Sequence, residues 1–285
     1  MTARTRVLVT GAGGQVGREV VREFEQHAHE VVALDRGALD VSDRSATLAA
    51  ITTIVPDVVV HCAAWTAVDA CEADPDRAYL VNALGARHVA EGVRRVGAHL
   101  VALSTDYVFD GTKTDPYVEW DAPNPTSVYG RSKLGGEREL GPEVTIVRTS
   151  WVCGAHGANM VKTILRLAGE HDELAFVDDQ RGHPTFADDL ARMLRVLVAG
   201  RMTGVYHVTN QGAVSWFEFA QAVLRAAGAD PARVRPITTA QLDPPRPAPR
   251  PANSVLDNAA LRLQGVALLP DFRDPLARLV RTLSG

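Results

Sequence analysis

Short runs of β-branched and aliphatic residues alternate along this chain with stretches whose apolar positions recur every three or four residues. Residues 6–10 (RVLVT) form the continuous apolar run that a strand buried on both faces requires. Residues 15–26 then place Val16, Val20, Val21 and Phe24 on one helical face. The alternation continues through a strand at 30–35, a helix over 43–54 and a strand at 58–61 behind Pro56. A long helix is expected over 74–97, with Asp74 as N-cap, Pro75 in its first turn and Gly97 as its stop. A strand at 99–104, a long polar loop, a helix from Ser127 that ends at Gly141–Pro142, and a strand at 143–148 complete the pattern. Strands separated by helices pair in parallel through right-handed crossovers, so the fold class is α/β with a doubly wound sheet.

Beyond Arg148 the rhythm loosens. Helices are expected at 159–169, 186–199, 215–227 and 274–283, and GVYHVT (204–209) reads as a strand that returns to the sheet. The Pro-rich DPPRPAPRP (243–251) reads as a stiff, ordered loop, because apolar segments follow it. The expected division is a nucleotide-binding domain over 1–150 to which 186–209 returns. A smaller C-terminal substrate-binding lobe then comes from 151–185 and 210–285.

Composition narrows the class. A chain of 285 residues holds one large domain, or a core with a lobe grown from it. A net charge of −4 gives no electrostatic reason to bind nucleic acid or an anionic membrane. The three cysteines (Cys62, Cys71, Cys153) contain no CxxC pair, which argues against a disulfide framework or a zinc site and for a cytoplasmic location. The first residues run directly into a strand without a signal-peptide pattern, and no apolar run is long enough to span a bilayer.

Candidate chemistry begins at TGAGGQVG, directly after the first strand. Gly11 permits the tight turn, Gly14 lets the backbone approach a pyrophosphate, and Gly17 lets helix and strand pack closely. Gln15 and Val16 open the helix whose free N–H groups would face the phosphates. The strand–loop–helix context makes this a Rossmann-like dinucleotide site. Asp35, at the end of the second strand, suits adenosine ribose hydroxyls and favours NADH. Arg36 beside it suits a 2′-phosphate and favours NADPH. The expected cofactor is NADPH, with NADH left open.

The chain holds only three lysines, and Lys133 stands one helical turn after Tyr129. Residues four apart share a helix face. A free phenol has a pKa of about 10, and a neighbouring ammonium favours the phenolate. The pair therefore suits proton transfer to a ketone oxygen, with the lysine expected to tune the tyrosine and to bond cofactor ribose hydroxyls. Ser104 and Thr105, at the C-terminal end of the fourth strand run, are candidates to hold the carbonyl. Asp106 reads as a loop hydrogen-bonder.

The glycine loop, the hydroxyl and the Tyr-x-x-x-Lys pair together resemble the extended short-chain dehydrogenase/reductase family. TAVDACEADP (66–75), LSTDYVFDG (103–111), YGRSKLGGE (129–137), RTSWVCG (148–154), KTILRLA (162–168), DDQRGHPT (178–185) and RPANSVLDN (250–258) resemble the dTDP-4-dehydrorhamnose reductase family within it. The resemblance implies NAD(P)H-dependent reduction of a dTDP-4-dehydro sugar, with Thr105, Tyr129 and Lys133 catalytic. It also implies Ala63, Ala64 and Asn82 beside the cofactor, and Val68, Tyr107, Trp151 and Asn253 around the sugar nucleotide. Arg250 is a candidate for the diphosphate. Departures from the family pattern stand at His61, Trp65 and Cys153. A homodimer is a candidate assembly. Some relatives carry magnesium, but no carboxylate cluster here is specific enough to predict a metal site. Alternatives are a reductase of another dTDP-4-keto-6-deoxy sugar, a sugar-nucleotide dehydratase, or a non-catalytic NADP-binding subunit resembling the methionine adenosyltransferase β subunit. A dehydratase needs an acid–base pair after the hydroxyl, of which only Asp106 is present.

Overall fold

The computed structural model describes residues 5–284. In chain order the principal elements are β1 (Arg6–Thr10), α1 (Gln15–Gln26), β2 (Glu30–Leu34), α2 (Arg44–Ile54), β3 (Val58–His61), α3 (Val68–Ala73), α4 (Pro75–Tyr79), α5 (Gly85–Val96) and β4 (His99–Thr105). There follow α6 (Val128–Arg138), β5 (Thr145–Thr149), β6 (Val152–Cys153), α7 (Met160–Glu170), β7 (Leu174–Val177), β8 (Arg181–Gly182), β9 (Thr185–Phe186) and α8 (Ala187–Ala199). The remainder is β10 (Gly204–His207), β11 (Val214–Ser215), α9 (Trp216–Ala226), β12 (Val234–Ile237), α10 (Ala259–Leu263) and α11 (Arg273–Ser284).

Six strands form one parallel sheet in the order β10-β5-β4-β3-β1-β2. Its centre is made of the apolar runs, with Val7, Leu8, Val9, Val59 and Val60 fully buried. Each such side chain contributes about 1.5–3 kcal/mol by leaving water, so these runs can be satisfied only with helices on both faces. On one face Val20 and Phe24 of α1 pack with Leu190 and Leu194 of α8. On the other, Ile51 of α2 packs with Val89 and Val93 of α5. Residues 187–207 thus run back over the sheet and add its edge strand. Ala260, Leu261 and Leu269 also join the first of these cores, although they lie in the stretch expected to belong to the lobe. The lobe has its own core, built around Phe186, Phe219, Val223, Phe272 and Leu276. Its strands come in short pairs, β6–β9, β7–β12 and β8–β11.

The long helix expected over 74–97 is interrupted. Asp74 caps α4, its Oδ1 accepting from Arg77 N at 3.1 Å, and Pro75 occupies the first turn. Residues 80–84 then form a π-type turn before α5, which ends at Gly97 in the left-handed region (φ +69°). The extra residue in that turn lets Asn82 reach sideways. Its Oδ1 accepts from Trp65 N at 2.8 Å, and its Nδ2 donates to Trp65 O and to Ser132 Oγ. The turn is therefore fastened both to the loop after β3 and to α6.

Helix α6 begins at Ser127, whose Oγ accepts from Gly130 N at 3.1 Å. Its glycines mark backbone crossings. A Cβ on Gly130 would overlap Tyr107 O, and one on Gly136 would overlap Asn82 O. Gly136→Ala is expected to lower stability by about 1–3 kcal/mol through overpacking. Gly169→Ala, where a Cβ meets nothing within 4 Å in α7, is expected to raise stability by up to about 1 kcal/mol. Denaturant midpoints of the two variants moving in the same direction would contradict this packing.

Candidate active site

The loop between β1 and α1 crosses the C-terminal end of the sheet with almost no clearance. Gly11 holds φ +67°, and a Cβ there would stand 2.6 Å from Ala63 N. Gly14 N donates to Gly11 O at 3.0 Å, and a Cβ on Gly17 would overlap the same carbonyl. Gly14 is the N-cap of α1 and offers no side-chain acceptor, so the first-turn N–H groups stay available to a ligand. These glycines border a cavity of about 460 Å³ that also meets Asp35, Arg36, Ala63, Ala64 and Trp65. Asp35 and Arg36 are both exposed there, and Asp35 Oδ1 accepts from Ala38 N at 3.0 Å. Arg77 lies 4.5 Å over the Trp65 ring at its wall. The uncapped helix start and the glycine clearances fit a dinucleotide pyrophosphate. Magnesium has no comparable cradle: among the described residues, no group of three or more His, Cys, Asp or Glu side chains comes together to hold a metal.

A second cavity of about 500 Å³ shares Gly14, Cys62 and Ala64 with the first. It brings together Gln15, Val16, Gly17, Val68, Thr105, Tyr107, Tyr129, Lys133 and Trp151, which lie far apart in the chain. Burial pushes the Tyr129 phenol up, the hydrogen bond with Thr105 opposes this, and the Asp106 carboxylate adds to it. The expected lowering of the phenol's pKa by Lys133 is not what governs it here. Lys133 is itself buried, and its Nζ donates to Leu103 O at 2.7 Å. Burial brings the ammonium down to about 8, against the opposing charge of Glu137. Desolvation outweighs the pairwise attraction because both groups lie on the dry side of α6.

Four of the expected contacts are engaged elsewhere. Ser104 lines the cavity, but its hydroxyl donates to Glu137 Oε1 at 2.5 Å. Asn82 reaches neither large cavity and instead pins the loop that carries Ala63 and Ala64. The Arg250 guanidinium makes a two-pronged pair with Asp69 and bonds Tyr107, so it braces the wall behind Tyr107. Asn253 ties its Nδ2 to Lys113 O at 2.7 Å and its Oδ1 to Val255 N, closing a loop outside the cavity lining.

Other residues enter the site without a sequence signal. Trp216, the first residue of α9, stacks on Trp151 with centroids 3.5 Å apart and planes 7° from parallel. Trp151 adopts φ +45°, and Gly182 backs its other side, where a Cβ would stand 2.7 Å from Trp151 Cε2. Asp106 is buried and accepts from Thr105 Oγ1 at 2.9 Å. Burial pushes its carboxyl up to about 6 against hydrogen bonds from Ser254 and Thr105. Cys62 faces both cavities, and burial raises its thiol to about 12, which disfavours the thiolate. His61 is neutral: its Nδ1 bonds Thr10 Oγ1 at 2.7 Å and burial lowers it to about 3.

This geometry can be set beside known proteins. The sequence profile of the family described as RmlD substrate binding domain matches residues 5–284. A dTDP-4-dehydrorhamnose reductase from Streptomyces griseus is 44% identical over 291 aligned residues, covering 99% of this chain and 95% of the relative. This chain belongs to the dTDP-4-dehydrorhamnose reductase family. The crystal structure of the family's Bacillus anthracis str. Ames enzyme, in complex with NADP, superposes with a TM-score of 0.93 at 39% identity, covering 98% of this chain and 99% of that one. A probable dTDP-4,6-dihydroxy-2-methyloxan-3-one 4-ketoreductase from Streptomyces antibioticus is also 44% identical, covering 95% of this chain and 93% of the relative. The doubly wound fold read from the chain is thus the fold of this reductase family.

The indole stack has an optical consequence. Trp216→Leu is expected to remove the exciton couplet of paired indoles from the far-ultraviolet circular dichroism and to lower stability by about 1 kcal/mol or more. An unchanged spectrum would show that Trp151 and Trp216 do not stack in solution.

Proposed function

We infer that the chain reduces the C4 ketone of dTDP-4-dehydro-6-deoxy-L-mannose (dTDP-4-dehydrorhamnose) with NADPH, giving dTDP-L-rhamnose. The observation that carries this reading is the gathering of Thr105, Tyr129 and Lys133 in one cavity continuous with the glycine-lined crevice. NADPH, when bound, supplies the hydride to C4. Arg36 and the neighbouring Arg18 at the adenosine end support a 2′-phosphate, in keeping with the NADP carried by the Bacillus anthracis relative.

Tyr129 acts as the proton donor. Burial keeps its phenol protonated through neutral pH, so the O–H is available when negative charge develops on the C4 oxygen. Thr105 lies within hydrogen-bonding reach of that phenol and steadies the carbonyl. Lys133 presents a charged donor to the ribose hydroxyls from the same helix face. Val68, Tyr107 and Trp151 form the sugar side of the cavity, and Trp216 supports Trp151. In this division residues 151–185 and 210–285, apart from the stretch around 260–269 that packs on the sheet core, supply the substrate lobe, while 1–150 with 186–209 hold the cofactor. The three free thiols accord with a reducing cytoplasm. Among the described residues no helix is long and apolar enough to cross a membrane. The equal identity to the Streptomyces antibioticus ketoreductase favours, as a second reading, another dTDP-4-keto-6-deoxy sugar at the same site.

Loss of nicotinamide absorbance on mixing the protein, NADPH and dTDP-4-dehydro-6-deoxy-L-mannose tests the reaction. Tyr129→Phe is expected to lower kcat by about 10²–10⁴-fold while NADPH affinity is retained. No absorbance change with the unaltered protein, or full activity in the variant, would overturn the reading. Lys133 sheds its charge as pH rises through about 8. The KM for NADPH should therefore be level below that pH and climb above it, and Lys133→Met should show no such inflection.

A further inference from the structure

Glu137 lies one helical turn beyond Lys133, on the same face of α6, and is buried. Its Oε1 accepts from Ser104 Oγ at 2.5 Å and from Arg148 Nε at 3.0 Å, and its Oε2 accepts from Arg148 Nη2 at 2.7 Å. Arg148 is buried as well and rests against the Phe109 ring at 5.2 Å. One carboxylate thus joins the strand that ends at Thr105, the helix that carries Tyr129 and Lys133, and the strand that leads to Trp151. A narrow pocket is bordered by His61, Asn82, Ser104, Lys133 and Glu137. The Lys133 and Glu137 side chains are both buried, so a charge at Glu137 is weakly screened at Lys133.

We propose that Glu137 is a positioning residue for the reaction: clamped by Arg148 and Ser104, its carboxylate holds the buried Lys133 ammonium in the charged state that the cofactor ribose needs. This rests on the reading of Lys133 given above. The groups that face the lysine are Glu137 and Tyr129 from α6, His61 from β3, and Cys62 from the loop after it. His61 and Cys62 are held neutral by burial, so Glu137 is the anion among them. Arg148 fixes the direction of the carboxylate by gripping both oxygens.

The chain's three lysines make the test direct. Lysine labelled with ¹³C at Cε is titrated in the cofactor-free protein, and Lys133→Arg assigns its signal by loss. Glu137→Gln keeps the size of the side chain and removes its charge. It is expected to move the Lys133 midpoint down by roughly one pH unit. The pH above which the KM for NADPH climbs should move down with it. Ser104→Ala leaves the charge and removes one of its donors, so the midpoint is expected to stay or to rise. Should Glu137→Gln fail to fold for want of a partner to Arg148, the double variant Glu137→Gln/Arg148→Met removes both buried charges and is expected to lower the midpoint in the same direction. An unmoved midpoint in a folded variant, with only a lower melting temperature, would overturn the proposal and leave Glu137 a structural staple. An inflection in KM that survives Lys133→Met would instead remove the reading of Lys133, whatever Glu137 does.

Discussion

The site depends on how closely α6 can lie against its neighbours. Gly130 passes directly over the Tyr107 carbonyl and Gly136 directly over the Asn82 carbonyl, with no room at either crossing for a methyl group. These two backbone approaches set the depth of the helix. Lys133 stands between them and Tyr129 immediately before Gly130, so the reach of both into the cavity follows from glycine clearance. The π-type turn at 80–84 provides the opposing surface and sends Asn82 to bind Trp65 and Ser132. The turn, the loop after β3 and α6 are consequently one rigid unit. Gly11 lies against that unit from the other side, where it passes Ala63.

This closeness has an electrostatic cost. A helix packed so tightly buries its reactive face, and burial opposes charge on both a phenol and an ammonium. The phenol is raised and the lysine lowered to about 8. A tyrosine that stays protonated is the form a reduction consumes, so desolvation favours the acid role proposed for Tyr129. In the role proposed for it the lysine needs its charge, and the network behind it is the proposed compensation. In that network the carboxylate of a buried Glu137–Arg148 pair accepts a further hydrogen bond from Ser104 and connects α6 to β4 and β5. Removing one partner of such a pair typically costs about 3–5 kcal/mol, because it strands a charge in a dry interior.

The side of the cavity proposed for the substrate is built differently. Trp151 is held by a flat indole stack, a glycine at its back and a left-handed backbone. Arg250 and Asn253 hold loops in place from outside the cavity. Arg250 does so through Asp69 and Tyr107, which connects the Pro-rich loop to the wall of the site. These residues shape the pocket by bracing what touches it.

The local signals in the chain were enough for the sheet, the glycine loop and the Tyr129–Lys133 face. Strand runs, helix periods, caps and a four-residue spacing are properties of neighbouring residues, and backbone geometry converts them into structure the same way in any context. Asp74, Gly97 and Ser127 end or begin helices where their chemistry predicts. The break at 80–84 had no signal in the apolar periodicity, and the partners of Asn82 favour the bulge. The stack of Trp216 on Trp151 joins residues 65 positions apart, so no periodicity points to it. Arg250 read as a candidate for the diphosphate until the fold placed Asp69 against it. The direction of the Tyr129 and Lys133 shifts was likewise a tertiary matter. Sequence spacing reports how near two charges lie along a helix. Only the packed structure sets how much water each has lost, and at this site that loss is the larger effect.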